Sequence, residues 1–222
     1  MSRGSASKKS VTSDWAGAFP GFSKWRPLRL VRRIGPVLQG IALDLSTAGD
    51  SYFPTAHVHA LTREFPVVTL TMSRRLSRSS GIQESIGFDR HEEVRLDAFR
   101  RMSEQSPLSL GDPPSIEEVI EEYHRFVRER AECGLPPAVS EVEDAVLVPA
   151  AAGRLDLTER GLGLAEELSE IWPAARLPLG WVGRDCWLQQ LRHSAGNSQA
   201  LQLIVDGQVH KHKLVSVNSC PL

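Results

Sequence analysis

Three cysteines in 222 residues, Cys133, Cys186 and Cys220, stand too far apart for a disulfide framework, and no Cys-x-x-Cys pair offers a zinc ribbon or a thioredoxin-like centre. A reducing compartment suits that usage. Nowhere do eighteen apolar residues follow one another, and the opening MSRGSASKKSVTSDW lacks the apolar run of a signal peptide, so the expectation is a soluble cytoplasmic protein with no membrane span. An excess of either charge is also missing. Twenty-six basic against twenty-seven acidic side chains leave a net charge of -1, and no global field gathers nucleic acid or anionic lipid. The phosphate-cradling G-x-x-x-x-G-K-[ST] and strand-linked G-x-G-x-x-G patterns are missing, as are Gly-x-Ser-x-Gly and His-Glu-x-x-His, so no cofactor is expected.

What the chain does have is ordinary globular composition, 41% hydrophobic and 24% charged, enough to build a core. Its charge is unevenly spread. The first thirty-five residues carry eight positive side chains against Asp14 alone, whereas Glu84 to Asp144 holds sixteen carboxylates against seven arginines. Residues 1–14, rich in Ser, Gly, Lys and Arg, read as a flexible basic arm with little to bury. Residues 15–222 read as a single domain. Trp15, Phe19, Phe22 and Trp25 read as a plug that tethers its start to the core.

The fold class expected is α+β: an antiparallel meander over residues 36–73 with helices packed on one face. Val37, Ile41, Leu43 and Leu45 share one face at period two, Tyr52 to Leu61 continues, and Val67 to Ser73 alternates again. Leu201, Leu203 and Val205, then Asp206-Gly207, then Val209 to Val217 read as a C-terminal hairpin over 200–217 that joins the sheet. Helices are expected over 88–103, from Thr158 to Trp172 and over 184–193. The clearest starts at Ser115, where Ser115-Ile116-Glu117-Glu118 is a capping box and Ile116, Val119, Ile120, Tyr123, Phe126, Val127 and Ala131 share one side. Residues 134–157 give no clear element.

The histidines carry the one constellation with metal-ligand chemistry. His57-Val58-His59 and His210-Lys211-His212 each set two imidazoles at i and i+2, which on a strand puts both on one face. Glu64 is the nearest carboxylate to the first pair. The stretch from Gly49 through His57-Val58-His59 to Glu64 partly resembles the first metal motif of the cupin family. That resemblance implies a small β-barrel with a catalytic metal on His57, His59 and Glu64. Its glycine stands two positions early, no glycine follows the glutamate at the family spacing, and His212 and Asn218 do not complete a second motif.

The leading expectation is a non-enzymatic soluble protein that binds another macromolecule, with a protein as the expected partner, for instance one of immunity or accessory type in a bacterial system. The proposed contact is the acidic stretch Glu117, Glu118, Glu121 and Glu122, which suits a basic partner. A metal-dependent cupin-like enzyme is the second reading. Nucleic-acid binding through the basic arm and Arg74-Arg75-x-x-Arg78 is the third, and the weaker, because the arm's aromatics have a competing structural use.

Overall fold

A computed structural model describes residues 5–220. The chain opens with helix α1, Lys8–Ala18, which replaces the flexible arm expected over residues 8–14; residues 1–4 of that arm lie outside the described residues. Composition misled there because the lysines and serines hide an i, i+4 pair, Val11 and Trp15, both fully buried. Ser7 caps the helix by accepting the N–H of Ser10 at 3.1 Å. Trp15, Phe19 and Phe22 enter the core beside Leu30, Ile41, Leu43 and Tyr52, as the plug reading requires. Trp25 packs elsewhere, and its indole N–H donates to the His212 carbonyl at 2.8 Å.

Strands β1 (Ser23–Arg26), β2 (Arg29–Ile34), β3 (Val37–Leu45), β4 (Ser51–Ala60) and β5 (Thr71–Arg75) form an antiparallel meander in sequence order. Two short strands join it: β6 (Ile86–Gly87) pairs with β4, and β7 (Ser219–Cys220) runs parallel to β2. The α+β class is therefore as expected. The sheet begins thirteen residues before position 36, however, because β1 and β2 carry five basic residues that mask their alternation. One of them, Arg32, is fully buried. Its guanidinium donates to the carbonyls of Ser109, Gly111 and Asp112 and to Gln39 Oε1 at 2.6–3.0 Å, and so satisfies a loop that has no ladder of its own.

One face of the sheet carries Ile41, Leu43, Tyr52 and Ala56 under α1 and under α2, His91–Gln105. The same face continues through Val37, Val58 and Ala60 under α3, Ile116–Glu132, and α4, Val139–Ala151. Residues Val127, Val142 and Val146 pass this core on to α5, Leu155–Ile171, and α6, Arg184–Ala195. The unplaced segment 134–157 is thus largely α4. It gave no stripe because Val142 and Ala145 to Ala150 bury almost all round, as expected of a helix enclosed by neighbours. Gly161 lets α5 approach closely: a Cβ there would lie 2.6 Å from the Ala145 carbonyl oxygen.

The hairpin expected over 200–217 does not form. Residues Ser198–Lys211 are helix α7, capped by Asn197, whose side chain accepts the N–H of Ala200 at 3.0 Å. Leu201, Val205 and Val209 recur at i, i+4, i+8 and bury, and that helical period outweighs the Asp206-Gly207 turn signal inside it. This helix packs on Val31 and Leu38, which register with β4 places on the face opposite Ile41 and Val58. Helices therefore cover both faces of the sheet, not one. No helix among the described residues is long and apolar enough to cross a membrane.

Candidate functional site

His57 and His59 do share one face of β4, the face beneath α7. The His57 ring lies directly over Gly40 of β3, where a Cβ would come within 2.2 Å of Nε2. His59 Nδ1 accepts the backbone N–H of Thr69 at 3.2 Å and meets the Thr69 hydroxyl at 2.8 Å. Both rings are buried, with His57 Nδ1 and His59 Nε2 unpartnered. Burial, reinforced by Arg29 and His59, pulls His57 down to about 3. His59 falls to about 4 through burial, with His212 and Arg63 adding to it. Both are neutral at pH 7.

Glu64 is exposed and does not join them. Among the described residues, the one group of three His, Cys, Asp or Glu side chains whose ligand atoms lie within 4.8 Å of one another is Asp14, His91 and Glu92. The second histidine pair belongs to the end of α7 rather than to a strand. His210 faces solvent there, while His212 is buried and meets Gln208 Oε1 at 3.1 Å.

The four glutamates of the acidic stretch line one open cleft of about 850 Å³ along α3. Its other walls are the end of α2, the loop through Ser109, and Arg74 of β5. Five carboxylates, from Glu104, Glu117, Glu118, Glu121 and Glu122, face two guanidiniums, Arg74 and Arg125. The capping box expected at the start of α3 is present: the Ser115 N–H donates to Glu118 at 2.7 Å and the Glu118 N–H to Ser115 Oγ at 3.2 Å. Glu117 pairs with Arg154 and Glu121 with Arg160, and those hydrogen bonds hold both carboxyls below the usual range. Glu122 differs from its neighbours. It is buried and held by Arg125 from the next turn, so it shapes the wall rather than offering a free charge.

A second polar cluster escaped the sequence reading. Arg63, just past β4, donates to Asp144 Oδ1 at 2.7 and 3.2 Å, to Glu143 at 2.6 Å and to the Ser140 carbonyl at 3.0 Å, all on α4. The Trp187 indole N–H completes Glu143 at 2.9 Å. Burial pushes the Asp144 carboxyl up to about 7, against the pull of Arg63. Partners about eighty positions apart leave no local spacing to recognise.

A third cluster joins α1, β4 and α2. Tyr52 Oη lies 2.7 Å from His91 Nδ1 and accepts the Trp15 indole N–H at 3.3 Å, and His91 Nε2 lies 3.0 Å from Asp14 Oδ2. Here too the chain offered only a lone His-Glu-Glu at a helix start. No protein-family model matches the chain, and comparison with curated proteins and with solved structures returns no match.

Proposed function

We propose that this protein acts by binding another protein, and that the cleft along α3 receives a basic segment of that partner. The observation that carries this reading is the cleft itself, about 850 Å³, with Glu118 free of any ion pair among the described residues and Glu104, Glu117 and Glu121 held only by surface arginines. Glu118 and Glu121 are exposed, and Glu117 is half-exposed. Their pairs with Arg154 and Arg160 are solvent-exposed contacts of a kind worth about 0–1 kcal/mol, so lysines or arginines of a partner can exchange for them at little cost. Glu118, and the glutamates freed by such exchange, then favour the correct orientation of a basic segment and speed its encounter. Neutralising a basic effector, the immunity-type role, is one use of such a surface.

The test is chemical-shift mapping with a lysine- and arginine-rich peptide, using an acidic peptide of equal length as the control. Shifts confined to α3, Arg74 and residues 104–109 would support the reading. Shifts scattered over the molecule, or equal responses to both peptides, would overturn it.

A further inference from the structure

The junction of α1 and α2 has the chemistry of a metal site, independently of the acidic cleft. Asp14 stands on α1, and His91 and Glu92 open α2. One oxygen of each carboxylate and one ring nitrogen of His91 lie within 4.8 Å of one another, and His91 Nε2 to Asp14 Oδ2 is 3.0 Å. That last spacing is a hydrogen bond, and it needs to open by only about 0.3–0.6 Å to match two neighbouring ligands of a tetrahedral ion whose bonds are about 2.0–2.2 Å. The His91 ring is fully buried and cannot turn away. Its far nitrogen rests on Tyr52 Oη at 2.7 Å, the kind of outer partner that orients a ligating imidazole.

The two carboxylates face the other way. Asp14 is 27% exposed and Glu92 52% exposed, so water reaches the fourth corner. We propose that Asp14, His91 and Glu92 bind one first-row divalent metal ion of the Zn²⁺ class, with solvent completing its coordination. One imidazole favours such an ion over Mg²⁺ or Ca²⁺, and two carboxylates match its charge. Glu92 now pairs with Arg95 at 3.2 Å, a half-exposed contact that the metal would have to replace.

Proton balance is simple. Without metal, Nε2–H donates to Asp14 and the Tyr52 O–H donates to Nδ1. With metal, the Nε2 lone pair goes to the ion and a ring proton sits on Nδ1; a neutral ring only shifts its proton, and a protonated one releases the Nε2 proton to solvent. Tyr52 Oη then accepts from both His91 and Trp15, and its own O–H proton rotates away from the imidazole. The ion ties α1 to α2, and so fastens the first helix to the body of the domain.

The test uses untagged full-length protein freed of metal by chelator, titrated calorimetrically with Zn²⁺ and followed with Co²⁺ by visible absorption. Expected results are one ion per chain, a rise in melting temperature, and nitrogen NMR showing His91 pass from the Nε2–H to the Nδ1–H tautomer. Glu92→Gln leaves the buried contacts untouched and should weaken binding at least tenfold, as should Asp14→Asn. His91→Ala is a poorer probe because it also removes the Tyr52 contact. Absence of stoichiometric binding, or binding unchanged in both Glu92→Gln and Asp14→Asn, would overturn the assignment.

Discussion

Removing the Arg63 guanidinium tests how the end of β4 is held to α4. Arg63→Met keeps an apolar stem but deletes four hydrogen bonds, two to Asp144 and one each to Glu143 and the Ser140 carbonyl. Asp144 is only 2% exposed and has no other cation, so its charge is left uncompensated. Breaking a buried pair in this way costs about 3–5 kcal/mol. For a chain of this length that is a fall in melting temperature of about 6–20 °C. The deficit also depends on pH. Burial already lifts Asp144 to about 7, and without Arg63 it rises further, so the variant takes up a proton as pH falls. Protonation removes the stranded charge, and the gap between wild type and variant narrows as pH drops from about 9 to about 6, most of it above 7 where only the variant is protonated. Urea unfolding at the two pH values measures both effects. The double variant Arg63→Met with Asp144→Leu should recover to within about 1.5 kcal/mol of wild type, since paired apolar replacement is often neutral. A single-variant cost below about 1 kcal/mol, or a deficit equal at both pH values, would refute the reasoning.

Other outcomes follow from the same physics. His57 and His59 have folded values near 3 and 4 against an ordinary 6.5, so the unfolded chain binds more protons below pH 6.5. Their contribution is complete above that pH and is lost on acidification, at about 1.4 kcal/mol per pH unit for each ring. Wild-type stability relative to His57→Asn should therefore fall between pH 6.5 and 5, and a constant difference would count against this. Gly161→Ala should destabilise by about 1–3 kcal/mol because its Cβ meets the Ala145 carbonyl oxygen, whereas Gly163→Ala, with open space around it, should gain up to about 1 kcal/mol; thermal melts separate the two. Ser115→Ala removes half of the capping box and should cost about 1 kcal/mol in the same assay.

Local signals were readable where nothing competed with them. The capping box at Ser115 and the one-sided apolar stripe after it placed α3 within a residue of its observed start. β3 and β4 followed from period-two alternation and a turn between them. Misreadings came where long-range packing decided. Nothing local marks Arg32 for burial, because its acceptors come from the 109–112 loop, and Asp206-Gly207 reads as a turn because nothing local shows that the sheet face at Val31 and Leu38 offers α7 a place to dock. The candidate sites divide in the same way. The glutamates of α3 are neighbours because a helix makes them so, and their cleft was legible to that extent. Asp14 meets His91 across 77 positions, and Arg63 meets Asp144 across 81, through tertiary contacts that no spacing rule encodes.

The acidic cleft is tested most directly by the association rate of a lysine- and arginine-rich peptide, measured by stopped flow as salt is raised. The rate should fall steeply between about 20 and 300 mM salt, as the screening length shrinks from about 20 Å to about 6 Å. In the double variant Glu118→Lys with Glu121→Lys it should drop at least tenfold at low salt and lose most of its salt dependence. A wild-type rate indifferent to salt, or a charge-reversed protein that associates as fast as wild type, would contradict the proposal that this face receives the partner.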